Sequence, residues 1–381
     1  MLDCLIVGAG PAGTVAATVL ARAGARVRIV DRSTFPRDKL CGDTVNPGTL
    51  GLLRRLKMAA AIDTCGLPVA GMRVTGERGV AIEGRYRDGV AGRALLRRHL
   101  DWMLLQDALA AGAQFEPAFT VRGAIVDGSR VAGARVSGRS FDGEIRARVT
   151  IAADGRRSTL TFGLGMARHP TRPRRWAMGA YVENTAVTGP PRDLGEMHVR
   201  AGRYIGVAPV PGGLTNVCVV KPWRPGDRTM GDPKAAVLGE LMRDPLLRDR
   251  FAGARLVGTP AVLGPLAVDV NDFAHFQGLL LAGDAAGFID PMTGDGLRFA
   301  VRGAELAALA AIDALEHGWH GVHERLAIRR RAEFAGKWRF NRLLRSLVTS
   351  PAAVGGASWG ARVAPAGLRA AIEYAGDVGY A

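Results

Sequence analysis

Two distant groups of residues have types and spacings suited to chemistry on a phosphorylated cofactor. The first is Gly8-x-Gly10-x-x-Gly13, with Pro11 and Ala12 between its last two glycines. It follows the apolar run Leu5-Ile6-Val7 and opens a helical stretch, Thr14 to Ala23. The glycines therefore fall at a turn where backbone N–H groups can face a pyrophosphate. A second apolar run, Arg26 to Val30, ends in Asp31, where a ribose-binding acid is expected about twenty residues after the glycines. In the other group, the apolar run Leu279 to Ala282 delivers Gly283-Asp284, and Pro291-x-x-Gly294-x-Gly296 follows. A carboxylate at Asp284 can accept hydrogen bonds from ribityl hydroxyls. Gly294 and Gly296 allow backbone to approach a flat ring. The helix expected from Leu297 points its positive end at the ring edge, where reduction places negative charge. Together the two groups suggest FAD.

The elements that must position these residues give an α/β pattern. Residues 1–68, 92–170 and 258–325 read as a discontinuous FAD-binding, Rossmann-like lobe of doubly wound βαβ type. Residues 69–91 and 171–257 read as an inserted β-sheet substrate lobe, with strands at Met178 to Glu183, Gly195 to Val199, Tyr204 to Pro209 and Asn216 to Val220. A helix is expected from Arg93 to Ala111, where Leu96, Leu100, Met103 and Leu104 share a face. Residues 326–381 read as a basic helical segment in which Arg330, Lys337 and Arg342 interleave with Phe334, Trp338 and Leu343. Such a helix either lies on an anionic membrane surface or packs its apolar side on the cofactor lobe.

Composition narrows the class. With 381 residues, 48% hydrophobic and 23% charged, the chain can bury a sizeable core. No apolar run approaches the ~18 residues of a spanning helix, and the chain passes from Met1 straight into its first strand, so a cytoplasmic location is expected, with peripheral contact to a membrane as an option. Cys4, Cys41, Cys65 and Cys218 lack metal-ligand spacing and read as reduced thiols, with no metal site. The net charge of +16 favours anionic surroundings such as lipid headgroups or an acidic carrier protein, and no nucleic-acid module accompanies it.

Further segments complete the pattern: Asp31-Arg32, Phe35-Pro36-Arg37-Asp38-Lys39-Leu40-Cys41-Gly42, Arg97 with Leu100-Asp101, Ala153-Asp154-Gly155, and Asp290 through Gly296. In this order they resemble the p-hydroxybenzoate hydroxylase fold of FAD-dependent oxidoreductases and, within it, the geranylgeranyl reductase family. The resemblance implies that Asp154-Gly155 touches the FAD pyrophosphate and serves the nicotinamide donor, and that Cys41-Gly42 lies close to the flavin ring with Lys39 and Asp43 flanking the same cavity. Arg32 is expected to stack on adenine and Arg97 to reach the flavin. Gly283, Asp284, Pro291, Gly294, Asp295, Gly296 and Leu297 are expected around the flavin. The chain departs from the family's aromatic Tyr-x-Trp-x-Phe-Pro segment: here Tyr204-Ile205-Gly206-Val207-Ala208-Pro209 places glycine at the tryptophan position. The two tryptophans of flavin-dependent halogenases are missing as well, which disfavours halogenation.

The resulting expectation is an FAD oxidoreductase fed by NADH or NADPH, with Pro291, Cys41 and Tyr204 facing the substrate. A monooxygenase acting on an aromatic, polyketide-like or carrier-bound apolar substrate leads, since the cofactor performs the hard step and few protein acids are needed. The alternatives are reduction of isoprenoid double bonds and a flavin-binding maturation or partner protein acting on a peptide or carrier-bound acyl group.

Overall fold

The computed structural model describes every residue except 1, 78, 88, 140, 172–174, 186–192, 223–230, 271–275, 289–291, 293 and 381. Two sheets organise it. In the first, the strand order is Gln114–Pro117, Val27–Asp31, Leu2–Val7, Asp142–Ala152, Arg130–Ser137, Thr120–Asp127. The first four strands are mutually parallel, and Leu279–Leu281 adds to Asp142–Ala152 in parallel. Parallel strands need crossover helices over their faces, which is why Leu5, Ile6, Ile29 and Val30 form runs without polar alternation and are fully buried. The helices Pro11–Arg22, Arg97–Ala110 and Gly296–His317 supply Val15, Leu20, Leu104 and Ala307 to the core on one face.

The second sheet runs Arg255–Leu263, Arg175–Glu183, Leu214–Pro222, Arg203–Val210, Leu194–Arg200, Gly71–Thr75, Ala81–Arg85. All its pairings are antiparallel except Leu194–Arg200 with Gly71–Thr75, which joins an early segment of the chain to a late one. Met178, Val219, Val237 and Leu241 pack one face onto the helix Pro233–Arg243. The opposite face presents Tyr181, Asn216 and Gly206 toward the loop at Cys41–Asp43.

Several boundaries differ from the sequence reading. The helix expected from Arg93 starts at Arg97, because Gly92–Ala94 is claimed as a strand by Thr44–Val45 and Leu67–Val69. Those pairings are remote in sequence and leave no periodicity. The expected break at 258 falls inside the strand Arg255–Leu263, and the one at 326 falls inside the helix Val322–Thr349.

The helices Val322–Thr349, Pro351–Val363 and Pro365–Gly376 pack back on the protein. Phe334 is buried edge-on against Phe299 at 5.0 Å, and Ile372 is buried close to Gly84 of the second sheet. Arg298 pairs with Glu333 at 2.6 Å and Asp377 at 2.8 Å, tying the chain end to the helix Gly296–His317. Among the described residues no helix is long and apolar enough to cross a membrane.

Candidate active site

The first glycine loop is shaped by contacts that exclude side chains. Gly8 has φ +102°, and a Cβ there would lie 2.5 Å from the carbonyl oxygen of Ala153. At Gly13 a Cβ would lie 1.8 Å from the oxygen of Gly8. Gly10 is different, since the nearest atom to its Cβ position is the Arg37 guanidinium at 3.7 Å. Gly10 also caps the helix Pro11–Arg22 without a side-chain hydrogen bond, so the first-turn N–H groups remain available to an anion. Asp31 ends its strand with Oδ2 accepting from the Ala9 N–H and Oδ1 from the Ser33 N–H, both at 2.8 Å, which sets its carboxylate against the loop. Arg32 is exposed beside it.

Two more acids close in from other elements. Asp154 follows the strand Asp142–Ala152 and accepts from the Thr159 N–H at 2.8 Å; burial and nearby Asp31 hold its carboxyl above the usual carboxylate range, against the hydrogen bonds of Ser158 and Thr159. Gly155 beside it has φ +84°. Asp284 sits in the short turn Gly283–Ala286. Burial raises its pKa, while Lys39, Arg97 and Arg156 act in the opposite direction. Lys39 is exposed to the open cleft, and the protein packed around that cleft, followed by Arg97 and Arg37, lowers its pKa. Arg156 is pushed down to about 10 by burial and by Arg157.

This arrangement fits a flavin dinucleotide. Open N–H groups at Gly10, with Arg37 beside them, suit a pyrophosphate, and the cations around Asp284 suit the same doubly charged group. Asp31 and Asp284 are the carboxylates that would accept from its ribose and ribityl hydroxyls.

Arg97 does not extend freely into the crevice. Its Nε and a terminal nitrogen donate to the two oxygens of Asp101 at 2.7 and 2.9 Å, and Arg37 adds 2.9 Å to the same carboxylate. Burial opposes the guanidinium charge, but Asp101 and the Cys41 thiol keep it protonated. Arg97 thus holds the loop that carries Cys41, supplying the charged neighbour that the sequence alone did not reveal.

Asp43 is the residue sequence reasoning most undervalued. It is buried at φ +54°, and its Oδ2 accepts from the Tyr181 hydroxyl at 2.6 Å and from the Asn216 amide at 2.7 Å. Asn216 also donates to the Cys41 carbonyl at 2.9 Å, and the Arg97 N–H reaches Asp43 Oδ1 at 3.2 Å. Tyr181 and Asn216 lie on the second sheet, so the network locks the Cys41–Gly42 loop between the lobes. No local signal marks it, because the partners are 138 and 173 positions away in sequence.

Burial raises the pKa of Asp43 to about 6, in spite of the Tyr181, Asn216 and Arg97 hydrogen bonds. Below the unfolded value of 3.8 both states are protonated and the native state keeps the full benefit. As pH rises toward 6 the unfolded chain releases this proton first, so stability falls by on the order of 3 kcal/mol across that window. Asp43→Asn is expected to flatten this part of a urea-unfolding pH profile. Tyr181→Phe is expected to move the inflection upward, since the hydroxyl favours the ionised carboxylate. Identical wild-type and Asp43→Asn profiles would remove Asp43 as the titrating group.

A cavity of ≈ 160 Å³ opens beside this loop. Cys41, Gly42, Met72, Gly206, Met292 and Leu297 line it, and Ala375 of the last helix closes part of its wall. Gly294 and Gly296 line the same space, which brings the second glycine group to the Cys41 loop. Tyr204, expected to face the substrate, is buried with Ala177, Val220, Leu266 and Met292, while Gly206, Val207 and Ala208 of its strand reach the cavity. The Asp295 carboxylate pairs with Lys337 at 3.2 Å. Pro291, with its neighbours Asp290 and Thr293, lies outside the described residues.

Residues 1–332 match the family model described as an FAD binding domain. The chain is 30% identical to a menaquinone reductase of Mycolicibacterium smegmatis, over 80% of this chain and 75% of that protein. It is 31% identical to digeranylgeranylglycerophospholipid reductase 1 of Methanopyrus kandleri, over 82% and 81%. Conditioned medium factor receptor 1 of Dictyostelium discoideum is 29% identical over 82% of this chain, which spans only 63% of that relative's length. Among solved structures, the myxobacterial chondrochloren halogenase CndH superposes with a TM-score of 0.80 at 24% identity, covering 89% of this chain and 81% of that one. A geranylgeranyl bacteriochlorophyll reductase-like protein from Thermoplasma acidophilum gives 0.77 at 22% identity, covering 93% and 89%. At these identities the two structures speak to the fold alone.

Proposed function

Because the chain belongs to the FAD binding domain family and is thereby an FAD-dependent oxidoreductase, we propose that it reduces carbon–carbon double bonds in a bulky, isoprenoid-like apolar substrate, with NADH or NADPH as electron donor. The observation that carries this reading is the cavity at Cys41–Gly42, whose walls are built from Gly206, Val207, Ala208, Met72 and Met197. Such walls would accept the reacting end of a methyl-branched hydrocarbon chain and exclude water there. The relatives named for reduction of menaquinone and of a digeranylgeranyl lipid support the direction of the chemistry, and they move the reading from oxygen insertion to reduction.

FAD, when bound, supplies hydride transfer. The protein's share is placement. Backbone at Gly294 and Gly296, with the start of the helix Gly296–His317, sets a positive potential at one side of the cavity. Arg97 and Asp43 fix the Cys41 loop on the other. Ala375 narrows the outer wall, and Glu196, which also lines the cavity, is taken up by His198 and Arg250, so the substrate would be held by apolar contact.

The test is anaerobic turnover. FAD-loaded protein, NADPH and a panel of polyprenyl alcohols and quinones are incubated without dioxygen, and products are read by mass spectrometry. A gain of two hydrogens per saturated bond is expected. A product gaining one oxygen atom, formed only when dioxygen is admitted, would replace this reading with the monooxygenase one.

A further inference from the structure

A second cavity, of ≈ 290 Å³, shares no lining residue with the site described above. It lies between the helix Val322–Thr349 and the strand Leu279–Leu281, which pairs on one side only, with Asp142–Ala152, and it extends to Ala286. Its floor is apolar, formed by Leu279, Leu281, Leu326, Phe334, Ala335 and Trp338. Its rim carries Arg331, Arg339 and Arg342, all exposed and on the same helix. Among the described residues no carboxylate pairs with any of these three, and Arg342 lies over the Trp338 ring at 5.9 Å to its centroid. Arg330 instead donates to the backbone oxygens of Leu281 at 3.3 Å and Ala286 at 3.5 Å, which fastens the helix to the cavity wall.

An apolar floor under an unmatched cationic rim selects a ligand with both characters. A neutral hydrocarbon would make no use of the guanidiniums at the rim, and a nucleotide or sugar phosphate would desolvate poorly over Leu326 and Phe334. The volume is close to the lower end, ~300 Å³, of small-molecule cavities, and therefore suits one chain rather than a protein surface. The geometry points to a binding site for a single-chain anionic amphiphile, a long-chain fatty acid, with its carboxylate at Arg339 and Arg342, one turn apart on the helix, and its hydrocarbon tail along Trp338, Phe334 and Leu326.

The probe is cis-parinarate, a fluorescent fatty acid, titrated below its micellar range into the full-length FAD-loaded protein. Saturable one-to-one binding is expected, displaced by palmitate and about tenfold less well by its uncharged methyl ester. The triple variant Arg331→Glu, Arg339→Glu, Arg342→Glu is expected to bind about tenfold more weakly or worse while keeping its FAD content, because these side chains are at the surface. Ala335→Trp is expected to block binding by filling the floor. Equal affinity for acid and ester, or unchanged binding in the triple variant, would overturn the site. Binding to anionic vesicles with none to monomeric parinarate would overturn it in favour of a membrane-facing surface. Displacement by polyprenyl alcohols with unchanged binding in Ala335→Trp would assign the probe to the cavity at Cys41 and overturn it equally.

Discussion

Gly13→Ala is expected to yield protein that no longer retains FAD. The new methyl carbon would sit 1.8 Å from the Gly8 oxygen and 2.9 Å from the Gly8 carbonyl carbon, both backbone atoms. The loop cannot yield by moving Gly8 away, because Gly8 is itself pressed against Ala153 and Asp154 and its N–H donates to Val30 at 2.8 Å. Either the helix Pro11–Arg22 shifts off the sheet or the loop opens, and both misalign the N–H groups that face the pyrophosphate. Strain of about 1–3 kcal/mol is expected in the apoprotein. Flavin-to-protein absorbance ratio after purification should fall about tenfold or more, the consequence of losing at least ~1.4 kcal/mol of cofactor binding. Gly10→Ala is the informative companion. Its methyl would meet nothing nearer than the flexible end of Arg37, so the fold should melt as wild type does while FAD is lost. Full flavin content in Gly10→Ala would show that the cofactor does not approach the backbone there.

Lys337→Met should produce the second large effect, at a residue far from any glycine fingerprint. The Lys337 ammonium lies 3.2 Å from Asp295 and 3.0 Å from Asp377, and all three residues are buried. It also donates to the backbone oxygens of Tyr374 and Ala375. Removing one partner of a buried ion pair leaves an uncompensated charge and costs roughly 3–5 kcal/mol. Here Arg298 still serves Asp377, so the burden falls on Asp295, the residue before Gly296 at the head of its helix. Urea unfolding should show the loss. Where the variant folds, KM for the apolar substrate should rise more than kcat falls, because Ala375 no longer holds the cavity wall. Adding Asp295→Asn should restore part of the stability by removing a buried charge that has lost its ion pair with Lys337. A loss below about 1 kcal/mol in Lys337→Met would mean that water reaches the network and screens it.

Burial explains where sequence reading reached and where it stopped. The strands Leu2–Val7 and Val27–Asp31 and the helix expected from Leu297 were legible because their apolar periods are local and uninterrupted. The short strand Gly92–Ala94 was not, since its partners are elsewhere in the chain and three residues carry no period. The same division runs through the site. Gly8, Gly10 and Gly13 announce themselves by close spacing along the chain, and Asp31 and Asp284 by their places directly after apolar runs.

Arg97 shows the limit of a single residue's identity. Its place on a helix was readable, and the structure adds that the guanidinium reaches one helical turn on to Asp101 and braces the Cys41 loop. The basic C-terminal segment offered two readings of one pattern, and the packing of Phe334 on Phe299 decides for the protein's own core along that face, while Leu343 on the same helix stays exposed.

By itself, then, the sequence determined a dinucleotide-binding α/β lobe and the cofactor class, and it marked the glycines expected to face the cofactor, since these depend on local spacing and on the absence of side chains. Only the tertiary structure decided that Asp43 joins Tyr181 and Asn216, that Lys337 anchors Asp295, and that Ala375 walls the cavity. Those contacts arise where two sheets and a returning chain end meet, and the energy that selects them comes from pairing buried polar groups across distances that no local pattern encodes.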